Sequence, residues 1–214
     1  MQQDRATALK AIADRVAACR ACRLYERARN PVPGAGDPDA EIVFIGEGPG
    51  EQEDIQGLPF VGRSGQYLDY LLNLIGLKRS QVFIANVVKH RPPNNRDPQP
   101  DEIAACEPFL NEQLAVIDPL MIVTLGRFSM ARYFPNAKIS SIHGKPRYEG
   151  RVAYYPLFHP AAALRNPALR YDMEDDVNRI PSILAEVRRL RSIAAGIPDA
   201  PPHEDDPPRQ LSLF

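Results

Sequence analysis

Phe60, Asn86 and His159 could together grip a planar, polar ring. A phenylalanine can stack on the face of such a ring. An asparagine offers one donor and one acceptor to its edge, and a histidine can donate to an oxygen on which negative charge develops. Taken singly, each has a plainer structural explanation. An asparagine at a strand end commonly caps it, and a histidine before proline commonly packs. Their occurrence on three segments that each leave a strand is what points to a site. The first of these segments opens with GEGPGEQED, residues 46–54, where three glycines surround Glu47 and Pro49, and Glu51, Glu53 and Asp54 follow. Alternate glycines let the backbone turn sharply and bring its amides close to a ligand. Four carboxylates argue against a phosphate cradle, and the Lys-Ser/Thr ending of a nucleotide-phosphate loop is missing. A pocket for a small molecule or a nucleobase at the carboxyl end of a parallel strand remains. An ordinary Gly-Pro loop packed on a sheet is the alternative.

The cysteines suggest a second kind of chemistry. Cys19 and Cys22 share one short turn, and Cys106 lies far along the chain. Three cysteines are too few for a disulfide framework and fit a reducing, cytoplasmic compartment and metal chemistry better. Three thiolates are one ligand short of a tetrahedral or cubane site.

The elements that must carry these residues follow from periodicity. Residues 42–45, Ile-Val-Phe-Ile, read as a strand buried on both faces. Further strands are expected over 81–88, 121–126 and 152–158, and helices over 6–18, 66–75, 101–117, 128–134 and 180–194. The stretches 29–40 and 91–100 are too rich in proline to be either. Strands alternating with helices imply a three-layer α/β/α domain around a central, mostly parallel four-stranded sheet. The 214 residues suffice for one such domain, over 1–195, and the composition of 196–214 is that of a flexible tail. A formal charge of −1 supplies no general attraction to polyanions, so any nucleic-acid contact must be local. No run of apolar residues is long enough to span a membrane, and the polar N-terminus is not that of a signal peptide.

The stretches GEGPGEQEDIQGLPFVGRSGQYL, FIANVVKHRPPNNRDP, IVTLG and FHPAAALRNP, with Cys19-x-x-Cys22 and Cys106, resemble the iron–sulfur, thermostable-type uracil-DNA glycosylases. These form the fourth family of the uracil-DNA glycosylase superfamily. The resemblance implies an enzyme that flips uracil out of DNA and hydrolyses its N-glycosidic bond, leaving an abasic site for base excision repair. It implies that Phe60 stacks on the uracil, Asn86 reads O4 and N3–H, backbone amides near Glu47 and Gly48 help bind the base, and His159 stabilises charge on O2. Glu47 is the candidate for handling the attacking water. Glu53 resembles the residue that crowds C5 and rejects thymine, with a surface carboxylate in an acidic turn as the alternative. The family has a fourth cysteine where this chain has His90, so the resemblance implies a 4Fe-4S cluster on Cys19, Cys22, His90 and Cys106. Zinc is the rival metal, and three core cysteines beside a surface histidine the plain alternative.

Uracil-containing DNA, single- or double-stranded, is the implied partner of a monomeric protein. Its local contacts are expected from Lys89, Arg91, Arg96, Lys145, Arg147 and Arg165, of which Arg165 lies in the loop that enters the DNA in the family. Solvated surface cations are the alternative for each. A covalently DNA-binding relative also resembles the chain around Val88-Lys89-His90. Its nucleophilic histidine sits in an inserted basic loop, and RPPNNRDPQP carries no histidine, so ordinary turnover is expected. A non-enzymatic iron–sulfur module on the same fold is a further alternative, disfavoured by the presence of Glu47, Asn86 and His159 together. Action on other deaminated bases such as hypoxanthine is a broader one.

Overall fold

The computed structural model describes residues 2–194, and the tail expected from residue 196 lies outside the described residues. Six strands form one sheet: β1 (Ala35–Gly36), β2 (Ile42–Gly46), β3 (Phe83–Asn86), β4 (Met121–Leu125), β5 (Arg147–Glu149) and β6 (Val152–Leu157). Their spatial order is β1-β3-β2-β4-β6-β5. The neighbours within β3-β2-β4-β6 are parallel, and β1 and β5 pair antiparallel at the two edges. The expected four-stranded, mostly parallel sheet is therefore corrected to a mixed six-stranded one. Both added strands lack a readable signal. β1 is two residues within a Pro/Gly-rich run, and β5 is exposed along its length, so no burial alternation marks it.

The helices are α1 (Gln2–Ala17), α2 (Glu51–Gln56), α3 (Arg63–Leu74), α4 (Pro100–Ile117), α5 (Arg127–Ala131), α6 (Ile139–Ile142), α7 (Pro160–Arg165), α8 (Ala168–Asn178) and α9 (Ile180–Ala194). They cover both faces of the sheet, because β2 is buried on both sides. Ile42 and Phe44 join the apolar cluster with α3, α8 and α9, whereas Val43 and Ile45 join the one with α1 and α4. α4 starts where Pro100 needs no amide partner and Glu102 accepts the Gln99 N–H at 2.8 Å. It buries Cys106, Leu110, Gln113 and Ile117, spaced to fall on one stripe.

Register decides where the site forms. Gly46 pairs with Asn86 across β2 and β3, and Leu125 pairs with Leu157 across β4 and β6. The carboxyl ends of four parallel strands are thus level, and the loops that leave them meet on one side. The ladder continues beyond β3, where Val87 and Val88 donate to the carbonyls of Gly46 and Glu47, each at 3.1 Å. This zips the start of the glycine-rich loop to the neighbouring segment.

The turn carrying Phe60 is pressed onto the first turn of α3. A Cβ on Gly65 would lie 1.7 Å from the carbonyl oxygen of Phe60. Gly65→Ala gains about 1 kcal/mol of helix propensity, but overpacking against backbone costs about 1–3 kcal/mol and should win. Urea unfolding should therefore show a less stable Gly65→Ala variant, and an unchanged midpoint would mean that the turn moves freely.

Candidate active site

A cavity of about 670 Å³ opens at the level carboxyl ends of the sheet, walled in part by Glu47, Gly48, Glu53, Phe60, Asn86 and His159. Asn86 ends β3 and is 1 % exposed, yet its Oδ1 has no hydrogen-bond partner among the described residues. A buried acceptor left without a partner is costly, roughly 1–3 kcal/mol, unless something else fills the place. Its own backbone carbonyl is held by the Lys89 ammonium at 3.0 Å. Phe60 is buried with φ 51°, a left-handed conformation that costs a residue with a Cβ about 1–2 kcal/mol. Its ring lies 5.8 Å from that of His159, centroid to centroid.

His159 precedes the proline that starts α7, and its Nδ1 accepts the Ala161 N–H at 3.1 Å. An Nδ1 used as an acceptor leaves the proton of a neutral ring on Nε2. Burial, reinforced by the positive charge of Arg165 and opposed by Glu53, lowers the imidazole pKa to about 4. His159 is therefore a neutral donor at neutral pH. Glu47 moves the other way. Burial and the negative charge of Asp97, partly offset by Arg127, raise its carboxyl to about 6.

Glu53 is not the surface carboxylate of the plain alternative. One oxygen accepts the N–H groups of Val61 and Gly62 at 2.9 and 2.8 Å, and the other accepts that of Gly50 at 3.0 Å. The carboxylate thus ties the glycine-rich loop to the turn that carries Phe60. The cation candidates separate. Arg96 and Arg165 line the cavity, and Arg96 is held by both oxygens of buried Glu102, at 2.8 and 2.6 Å. Arg91 donates to Asn95 at 2.7 Å. Lys145 and Arg147 are exposed away from the cavity wall, Lys145 donating to the Ser141 carbonyl and Arg147 lying over Phe134. Lys89 as a DNA contact is corrected. It is fully buried, donates to Gln113 Oε1 at 2.8 Å as well as to Asn86, and burial lowers its pKa to about 7.

The iron–sulfur or zinc site is also corrected. A zinc site needs deprotonated ligands converging on one ion at roughly 2.3 Å for sulfur, and a four-iron cluster needs four such ligands around one shared space. Cys19, Cys22 and Cys106 are free thiols, and Cys106 is buried with its Sγ accepting the Lys89 N–H at 3.3 Å. Burial raises the thiol pKa of both Cys22 and Cys106 and lowers that of the His90 imidazole. Among the described residues, no group of three or more His, Cys, Asp or Glu side chains is placed to hold a metal ion. Cys106 lies in the apolar cluster between α1 and α4, with Cys22 packed against it.

Sequence reasoning missed Arg79, Asp97 and Arg127. Arg127 pairs with Asp97 at the cavity rim, and Arg79 donates to the Phe60 carbonyl at 2.8 Å. Nothing in their local sequence distinguishes them from solvated surface charges.

Fold and cavity together define an α/β protein able to take a planar, carbonyl-bearing ring between an aromatic face, an amide edge and a neutral imidazole donor. A family model for the uracil DNA glycosylase superfamily matches residues 33–180. A type-4 uracil-DNA glycosylase of Saccharolobus solfataricus is 48 % identical over 188 residues, covering 83 % of this chain and 87 % of that protein. One from Sulfurisphaera tokodaii is 46 % identical over 191 residues, covering 85 % and 87 % respectively. A third, from Archaeoglobus fulgidus, is 45 % identical over 175 residues, covering 77 % and 87 %. The chain belongs to the uracil DNA glycosylase superfamily, in its type-4 family.

The burial of neutral His159 has a measurable consequence. Its pKa is about 4 when folded against an ordinary 6.5. Between these values the unfolded chain binds a proton that the folded chain does not, so this contribution to stability is full above pH 6.5 and shrinks as pH falls toward 4. Urea unfolding from pH 7 to 4.5 should show a shallower pH slope in His159→Gln than in wild type.

Proposed function

We infer that the protein is a uracil-DNA glycosylase, a hydrolase that removes uracil from DNA and leaves an abasic site for base excision repair. Its family membership and its identity to type-4 enzymes support the activity. The observation that carries the residue roles is the unpartnered, buried Oδ1 of Asn86 beside Phe60 and His159. A uracil that has left the DNA stack brings the missing partner, because its N3–H donates to Oδ1 while O4 accepts from the amide nitrogen. Phe60 stacks on the base, and backbone amides near Glu47 and Gly48 hold its remaining polar edge. Glu53 belongs to the same wall and would meet a methyl on C5, which disfavours thymine.

As the glycosidic bond stretches, negative charge gathers on the uracil carbonyls. The Nε2–H of neutral His159 stabilises it at O2 by hydrogen bonding, without having to give up a proton. Glu47, with a pKa near the operating range, orients and deprotonates the water that attacks the sugar carbon. Arg96 and Arg165, at the cavity wall, face the DNA backbone, with Arg91, Lys145 and Arg147 as outer contacts. Among the described residues no helix is long and apolar enough to cross a membrane. We assign a monomer that acts in the cytoplasm on single- or double-stranded DNA.

An oligonucleotide with one labelled uracil, treated with alkali after incubation, tests the activity directly. In single-turnover reactions His159→Ala should lose about 10²–10³-fold in excision rate, yet bind the DNA within about tenfold of wild type, because its hydrogen bond strengthens in the transition state. Phe60→Ala should instead lose capture, since stacking worth about 1–3 kcal/mol acts on the bound base as well. A His159→Ala protein that excised normally but bound poorly would reduce His159 to a DNA or packing contact.

The wild-type excision rate should rise with pH and level off above about 6, following ionisation of Glu47. Glu47→Gln should be slower and lack that rise, and a rise that survives the substitution would assign the base elsewhere.

A further inference from the structure

We propose that Arg79 is a positioning residue for the base-stacking ring, acting with Glu53 as a two-sided clamp on the turn that carries Phe60. The inference rests on the glycosylase reading above. The turn lies between α2 and α3 and has neither a helix nor a strand of its own to fix it. Phe60 nevertheless sits at φ 51°, where only its surroundings can hold it. The orientation of a residue is set by the two peptide planes on either side of its Cα, and both planes are tied here. Arg79 donates to the carbonyl of Pro59 in the preceding plane and, at 2.8 Å, to the carbonyl of Phe60 in the following one. Glu53 accepts the N–H of Val61 in that same following plane at 2.9 Å and that of Gly62 beyond it at 2.8 Å.

Arg79 suits this work. It lies in the short helical turn Arg79–Gln81 before β3 and does not line the cavity, so it acts on a bound base only through Phe60. Its guanidinium is oriented by Asp69 of α3 at 3.1 Å. A planar fork can address two carbonyls at once in fixed geometry, which a single ammonium does poorly. The clamp also explains how a costly left-handed phenylalanine is kept ready before the base arrives, so that ordering it does not weaken capture.

A double-mutant cycle separates this role from plain structural support. Single-turnover excision is measured over a range of DNA concentrations for wild type, Arg79→Lys, Arg79→Gln, Phe60→Ala and the Phe60→Ala/Arg79→Gln double variant. Arg79→Gln should raise the half-saturating DNA concentration about tenfold while changing the maximal rate little, with Arg79→Lys between it and wild type. In the Phe60→Ala background the same change should add almost nothing, because the ring it positions is gone. Equal losses in both backgrounds, or a loss confined to the maximal rate, would overturn the clamp. The chain contains no tryptophan, so Phe60→Trp supplies a single reporter that needs no activity. Adding Arg79→Gln to it should increase acrylamide quenching, and unchanged quenching in folded protein would overturn the clamp on its own. Absence of uracil excision by wild type would instead overturn the functional reading, with the quenching result still deciding the clamp.

Discussion

The site depends on the absence of a side chain at the end of β2. A Cβ on Gly46 would lie 2.4 Å from Asn86 Oδ1 and 2.6 Å from the ring of Phe60. Gly46 is also the residue paired in register with Asn86. One position therefore brings the Asn86 amide and the Phe60 ring together, and any larger residue there would have to displace one of them. The rest of the arrangement elaborates this contact. The parallel ladder levels the strand ends, Glu53 ties the following turn to the glycine-rich loop, and the loop after β6 brings His159 beside the ring of Phe60.

How far this was legible in the sequence depended on the range of the interaction. The strand 42–45, the glycine-rich loop, Phe60, Asn86 and His159 are marked by contiguous apolar runs and by glycine and proline, and such local signals survive into the fold. α2 was not legible, because its carboxylates read as a loop. In the structure they occupy a helix start, where Glu53 accepts the Gly50 N–H and negative charge suits the amino end of a helix. Lys89 misled for a related reason. It stands in the stretch VVKHRPP, and only the tertiary structure buries it and brings Gln113 of α4 to meet an amine that also turns back to the nearby Asn86 carbonyl. Arg79 is the extreme case, since beside Asp69 its partners are backbone carbonyls 19 and 20 residues away that carry no side-chain signature.

The cysteines show where spacing ceases to be informative. A pair two residues apart states only that two thiols share a turn. Whether they become ligands depends on convergence with distant groups and on an environment that favours the thiolate. Here burial raises the pKa values of Cys22 and Cys106, although the Lys89 amide that donates to Cys106 opposes the shift there. The segment then serves the core through α1 and α4, and Lys89, buried against α4, holds the backbone carbonyl of Asn86.

Desolvation does opposite work on the two ionisable groups at the cavity. Burial disfavours charge on either, so it strips His159 of its proton and lets Glu47 keep one to higher pH. For a reaction that releases an anion, this division is productive. A neutral imidazole whose Nδ1 is occupied can only donate through Nε2, and it does so without repelling the nearby Arg165 guanidinium. A carboxyl titrating near 6 is mostly ionised at neutral pH yet remains basic enough to take a proton from water. Both shifts come from the same exclusion of solvent at the strand ends. The geometry that assembles the pocket and the proton inventory that suits its chemistry are therefore consequences of one packing arrangement.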